Sequence, residues 1–223
     1  MTELEAMQNR HSVRSYLDQP LSEHALTELN QAIDACNRES GLHIQLVTNE
    51  PKAFDGFMAH YGKFSGVKNY IALIGKKSPD LDEKLGYYGE RLALKAQMLG
   101  LNTCWVALTF SKGNCGAVID RGEKLVCVIA LGYGVTQGIP HRSKPVDSLC
   151  KVGGEMPGWF KTGMEAALLA PTATNQQKFL FTLNENTVQA KATGGFYSSV
   201  DLGIVRYHFE IGAGTEHFHW ARE

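Results

Sequence analysis

The run Asn69-Tyr70-Ile71-Ala72-Leu73-Ile74-Gly75 constrains the fold of this chain more than any other stretch, because it has no polar face. As a strand it is apolar on both sides of the pleat, which calls for burial on both faces. A second apolar run, Leu125-Val126-Cys127-Val128-Ile129-Ala130-Leu131, also reads as a strand and is far too short to span a bilayer. Helices suited to flank such strands are legible nearby. Ser22 is a suitable N-cap and Glu23 a favourable first-turn residue for a helix with Leu26, Leu29, Ile33 and Cys36 on one face, ended by Gly41. A longer helix over 82–99 carries Leu85, Tyr88, Leu92, Ala96 and Leu99 on one side, with Gly100 as its stop. A short helix over Glu3–Asn9 precedes both, and strands are expected at 43–48, 69–75, 103–108 and 124–131.

From 136 to 158 the chain is rich in Gly, Pro and polar residues and reads as a connector. Beyond it the pattern restarts. Phe160, Met164, Ala167 and Leu168 make a helical face, strands follow at 179–183 and 188–192, and Val200, Ile204, Tyr207, His208 and Ile211 mark a long helix before the aromatic strand Phe218-His219-Trp220. The helix-then-strand order at 33–47 returns at 167–182, an offset of about 135 residues, and the long helix returns at about 111. This order reads either as an internal duplication whose second copy lacks the stretch 51–75 or as an element order shared by chance. The expected division is a first half over 1–135, a connector over 136–158 and a shorter second half over 159–223, together one globular unit of α+β class with a mixed or antiparallel sheet flanked by helices.

Composition narrows the partners. With 223 residues, 43% hydrophobic and 20% charged, the chain can bury a real core, and its net charge of -1 gives no reason to expect nucleic acid or an acidic membrane. The N-terminal Met1-Thr2-Glu3-Leu4-Glu5 lacks an apolar signal core. Cys36, Cys104, Cys115, Cys127 and Cys150 form no Cys-x-x-Cys pair and are odd in number, as expected of reduced thiols in a cytoplasmic protein.

Two segments carry chemistry. Arg10-His11-Ser12-Val13-Arg14 places two guanidiniums and a hydroxyl at alternate positions. In an extended chain Arg10, Ser12 and Arg14 point the same way, and phosphate suits a forked, permanently charged donor set. Far downstream, Pro171-Thr172-Ala173-Thr174-Asn175-Gln176-Gln177 supplies neutral amides and small residues after a helix that Pro171 must stop. Such amides suit a heteroaromatic edge with both donors and acceptors. Together the segments point to a phosphorylated, ring-bearing cofactor, with flavin mononucleotide (FMN) as the candidate. Alone, the first reads more often as a solvated strand and the second most commonly as amides satisfying their own loop.

These residues resemble the FMN-dependent nitroreductase family. Arg10 to Tyr16 is similar to its Arg-x-Ser-x-(Arg/Lys)-x-aromatic phosphate signature, and Pro171 to Phe179 to its Pro-Ser-x-x-Asn-x-Gln-Pro-Trp loop, with Ala173 departing from a frequent Ser. Leu99-Gly100-Leu101-Asn102-Thr103-Cys104-Trp105 resembles the end of its central helix and the following strand. Gly132-Tyr133 with Arg142, Lys144 and Pro145 resembles its C-terminal basic stretch beside the phosphate. In usual members the loop follows soon after the signature, and the flavin sits at a homodimer interface. Here that early place reads Cys36-Asn37-Arg38-Glu39-Ser40-Gly41, so the chain resembles a smaller branch with two fused halves, a single-chain pseudo-dimer with one complete flavin site.

The resemblance implies a nitroreductase-like fold and an oxidoreductase that passes hydride from NAD(P)H through FMN to a nitro compound, quinone or similar small acceptor. The alternative is an FMN-binding protein with little or no turnover. The implied cofactor contacts are Arg10, His11, Ser12, Arg14, Trp105, Val106, Ala107, Leu108, Arg142, Lys144, Pro171, Thr172, Ala173, Asn175 and Gln177. Trp105 to Leu108 also read as plain core strand, and Arg142 and Lys144 as residues that keep a loop soluble. No catalytic side chain is expected, since the flavin carries the chemistry. No strand-Gly-x-Gly-x-x-Gly-helix marks a separate nicotinamide domain. His217 and His219 lack a third ligand, so no metal is expected, and His208 reads as a packed core residue. A monomer or weak homodimer is expected.

Overall fold

The computed structural model describes residues 1–221. Its first sheet is wholly antiparallel and contains β1 (Gln45–Val47), β2 (Asn69–Lys76), β3 (Asn102–Val106) and β4 (Glu123–Gly132) in the order β1-β2-β4-β3. As its lack of a polar face requires, β2 is buried from Asn69 to Gly75. Ile71 and Leu73 face helices α2 (Glu23–Ser40) and α4 (Leu81–Met98). Tyr70, Ala72 and Ile74 face a second cluster that no long helix covers. Phe54 and Phe64, from the loops flanking the five-residue α3 (Phe57–Tyr61), and Phe110, from the loop after β3, pack there with Val13 and Tyr16. Aromatic loop residues thus take the place that the alternation of strands and helices reserved for a helix. The short α3 left no periodic signal to read.

The second sheet holds β5 (Cys150–Val152), β6 (Phe179–Asn184), β7 (Thr187–Ala192) and β8 (His219–Trp220) in sequence order. Its central hairpin is antiparallel, while β5 and β8 join at the edges in parallel. Strand order and direction therefore differ between the two sheets. The segment expected as a plain connector ends in β5, which is part of the sheet; three residues with exposed Lys151 at their centre are too short to show alternation. Other bounds shift modestly: β1 is shorter than 43–48, and β3 stops at Val106 instead of 108. Helix α5 (Gly158–Ala167) and the long α6 (Ser198–Ala213) cover the second sheet, where Phe181 stacks on Phe209 at 4.7 Å.

The helix limits follow from local chemistry. Helix α1 (Glu3–Asn9) opens on a capping box between Thr2 and Glu5. Ser22 caps α2 through Ala25 N at 3.1 Å, and Gly41 closes it in the left-handed region at φ 72°.

The two sheets meet through α4 and α6, which cross backbone to backbone. A Cβ added at Gly86 would fall within the carbonyl oxygen of Val200, and one at Gly203 within that of Glu83. Both obstacles are helix backbone and cannot swing aside. Arg206 pairs with Glu83 across the crossing, and Tyr207 Oη donates to Glu3 at 2.7 Å, binding α1 to α6. Gly203→Ala is expected to push the helices apart and cost about 2–3 kcal/mol, read as a Tm lower by roughly 5–10 °C in thermal unfolding. Gly153→Ala, with nothing within 4 Å of the added methyl, is the control expected to leave Tm unchanged.

Candidate functional site

A cleft of about 700 Å³ opens along the seam between the two sheets. One wall is the basic segment. After α1 the backbone straightens, Ser12 bridges Thr103 in parallel, and Val13 N donates to Thr103 O at 3.0 Å. That pairing fixes the alternation expected from the sequence. Val13 and Tyr16 turn into the core, while Arg10, Ser12 and Arg14 line the cleft. Tyr16 Oη secures the turn by donating to Val13 O at 2.7 Å and Ala130 O at 3.2 Å. Arg14 lies over the Phe64 ring at 5.8 Å.

Arg10 differs from Arg14. It is 3% exposed, and its Nε and Nη1 have no hydrogen-bond partner although they are buried. The carboxylate in reach is Glu90, whose Oε1 lies 3.7 Å from Nε. Glu90 is itself fully buried in α4, and its Oε2 accepts from Trp105 Nε1 at 2.8 Å.

The opposite wall is 171–176, the turn between α5 and β6. Thr174, Asn175 and Gln177 hold left-handed backbone, φ 50°, 55° and 45°, and side chains tie the turn down. Gln177 N donates to Thr172 Oγ1 at 3.0 Å. The Gln177 side-chain amide is fully used: Nε2 donates to Arg142 O and Asn175 Oδ1, and Oε1 accepts from Lys144 N. Lys144 Nζ donates to the carbonyls of Gln176 and Gln177 at 2.7 and 3.0 Å. From α6, Asp201 accepts Ala173 N at 2.9 Å on one oxygen and Gln176 Nε2 at 2.7 Å on the other.

Of the expected contacts, the cleft gathers Arg10, His11, Ser12, Arg14, Trp105, Val106, Ala107, Leu108, Pro171, Thr172, Ala173 and Asn175. Arg142, Lys144 and Gln177 are not among its lining residues. They form a brace behind the loop, in which Lys144 N donates to Gln177 Oε1 and Arg142 O accepts from Asn175 Nδ2, backbone roles that could not be read from side-chain type. Sequence reasoning passed over Asp201, Glu90 and His141, and saw His208 only as core. His208 is indeed fully buried, but it reaches Glu90 Oε1 at 3.0 Å. A carboxylate inside an apolar helical face, as at Glu90 and Asp201, was the signal available.

Burial sets the chemistry of the lining. It pushes the thiol of Cys127 up to about 12 and raises that of Cys104, so neither is a thiolate nucleophile near neutral pH. His11 is held below its ordinary range by burial and by Arg10. Elsewhere, His43, Asp120 and Glu123 cluster on the surface. There Glu123 Oε2 already faces His43 Nδ1 at 2.8 Å and accepts from Asp120 N at 2.9 Å. His217 stacks on Trp159 beside Glu216. Among the described residues no helix is long and apolar enough to cross a membrane.

The chain matches the family model described as "Putative TM nitroreductase" over residues 3–213. Among solved structures it is similar to a putative nitroreductase of Thermotoga maritima, with TM-score 0.64, 22% identity, and coverage of 95% of this chain and 83% of that one. A putative nitroreductase of Desulfovibrio desulfuricans in complex with FMN gives TM-score 0.52 and 20% identity, covering 67% of this chain and 95% of that one. A putative NADH dehydrogenase/NAD(P)H nitroreductase of Parabacteroides distasonis gives 0.52 and 23%, covering 66% and 95%. At these identities the solved structures establish the fold. No curated protein sequence matches the chain significantly.

Burial raises the Asp201 carboxyl to about 6, against the opposing pull of its two donors, Gln176 and Ala173. Because the folded value lies above the ordinary 3.8, the folded state holds the proton more tightly, and stability falls as pH rises from about 4 to 6. Asp201→Asn is expected to flatten that slope, which urea unfolding at several pH values across this window would measure. An unchanged slope would show that the group does not titrate there.

Proposed function

This chain belongs to the nitroreductase family just described, and from that membership and the geometry of its cleft we propose that it is an FMN-dependent oxidoreductase. The observation that carries the reading is Arg10: a buried guanidinium with Nε and Nη1 unpartnered, on the wall of a cleft whose size is in the range of cofactor pockets. An unsatisfied buried cation is costly unless something anionic meets it. A phosphate fits, with Arg14 and Ser12 beside it on the same wall. The neutral turn opposite, with Thr172 and Asn175, suits the polar edge of a flavin ring, while Val106, Val200 and Ile204 offer apolar surface.

When bound, FMN supplies hydride transfer from NAD(P)H to a small acceptor such as a nitro compound or quinone. The protein's own part is to hold, orient and shield. Arg10 and Arg14 take the anionic end, the braced 171–177 turn fixes the ring's height, and the buried core side of the cleft keeps water out. No lining side chain has to act as nucleophile, in keeping with the raised thiols of Cys104 and Cys127. Gln177, Lys144 and Arg142 act at one remove, holding the turn that meets the ring. Each half of the chain contributes one wall, so a monomer can form a whole site as a single-chain pseudo-dimer. The five free cysteines suit the reducing cytoplasm.

The purified protein is expected to be yellow and to bleach rapidly with anaerobic NADPH or NADH. A yellow protein that bleaches only with dithionite would make it a flavin carrier. A colourless protein that ignores added FMN would overturn the reading. Arg14→Ala is expected to weaken FMN binding about tenfold or more while leaving riboflavin binding nearly unchanged, since the lost contact is a charge-assisted one to phosphate. Titration of flavin fluorescence checks both.

A further inference from the structure

We infer that a proton trapped between Glu90 and His208 keeps Arg10 free to take an anion, which makes both of these buried residues positioning residues for the phosphate. The inference rests on the FMN reading above.

His208 lies on α6 with no exposed surface, and its two ring nitrogens face two different oxygens. Nδ1 is 3.0 Å from the carbonyl of Ala166 in α5, and Nε2 is 3.0 Å from Glu90 Oε1 in α4. A carbonyl can only accept, so Nδ1 carries a hydrogen. Neutral imidazole would then present a bare lone pair at Nε2 to a bare carboxylate oxygen. That contact is repulsive in a buried site unless one proton lies between the two atoms. It belongs either to imidazolium facing carboxylate or to carboxylic acid facing imidazole. In both cases the Glu90–His208 couple has no net charge.

The consequence falls on Arg10. Were Glu90 simply its counter-ion, the guanidinium would hydrogen-bond it. Instead, Nε stops 3.7 Å from Oε1, Nε and Nη1 stay without hydrogen-bond partners, and each carboxylate oxygen is directed at another group, Oε1 at His208 and Oε2 at Trp105 Nε1. The other groups that bear on this part of the cleft are His11, Arg14, His141, Cys104 and Tyr16; the first three are basic, and burial holds the last two in their neutral forms. Arg10 therefore keeps an uncompensated positive charge, and one missing proton behind it would cancel that charge with the full carboxylate of Glu90.

The test compares FMN with riboflavin, which differ by the phosphate. Their Kd values would be measured by flavin fluorescence for the wild type, Glu90→Gln, His208→Gln and the double variant. The ratio of riboflavin to FMN Kd reports the phosphate's share. In His208→Gln the new amide donates to Glu90 without supplying charge, so the carboxylate is fully anionic and captures Arg10; the ratio should fall about tenfold or more. In Glu90→Gln the carboxylate is gone and the pair is as neutral as the wild-type couple, so the ratio should stay close to the wild-type value. The double variant should recover at least the wild-type ratio. Residues that only hold the fold would lower the ratio in both single variants, and that outcome overturns the inference while leaving the FMN site intact. Should His208→Gln fail to fold, Glu90→Gln decides alone: a ratio near the wild-type value supports the inference, while a rise of about tenfold (Glu90 already cancelling Arg10) or a fall (a purely structural role) overturns it. A wild type that binds FMN no better than riboflavin would overturn the phosphate reading, and this inference with it.

Discussion

The close crossing of α4 and α6 is the constraint on which the rest depends. Gly86 and Gly203 let the two backbones touch, and residues one or two turns further along each helix then meet side chain to side chain. Glu90, one turn beyond Gly86, reaches His208; Asp201, two residues before Gly203, reaches the turn at Ala173. Larger residues at the crossing would separate the sheets and with them the two walls of the cleft. The cleft is thus set by interhelical distance before any of its lining is considered.

The two walls are held by different means. The basic segment runs beside β3 and borrows its straightness from the sheet, so its alternation is dictated by pleat geometry. The 171–177 turn has no such template. Its left-handed residues persist because Gln177, Lys144 and Asp201 occupy nearly every polar group behind it. A wall built this way is rigid only while that set is complete, which gives residues away from the cleft surface a say in its shape.

Much of this was legible in the residues. The unbroken apolar run of β2 demanded cover on both faces, and the capped, periodic helices announced themselves through Ser22, Gly41 and the Leu85–Leu92 face. The alternation of Arg10, Ser12 and Arg14 carried straight through to the cleft. Four things were hidden. Loop aromatics Phe54, Phe64 and Phe110 cover one sheet face without periodicity. Strand β5 is too short to alternate. Gln177 and Lys144 act through backbone atoms, and their distance from the cleft surface depends on tertiary closure that no local pattern encodes. The Glu90–His208 pairing joins residues 118 positions apart, on faces where each alone reads as an oddity of the core.

The bond from Tyr207 to Glu3 spans 204 positions. Helix α1, which delivers Arg10, is seven residues long, too short to persist by itself in water. It is held by packing of Ala6 and Met7 against Leu94 of α4 and Tyr207 of α6. During synthesis the contact with Tyr207 forms only after residues beyond 207 have left the ribosome, although the basic segment emerges first. A nascent chain cut short before α6 would hold the whole phosphate signature and could pair it with β3, yet would lack the hold that α6 gives to the helix delivering it.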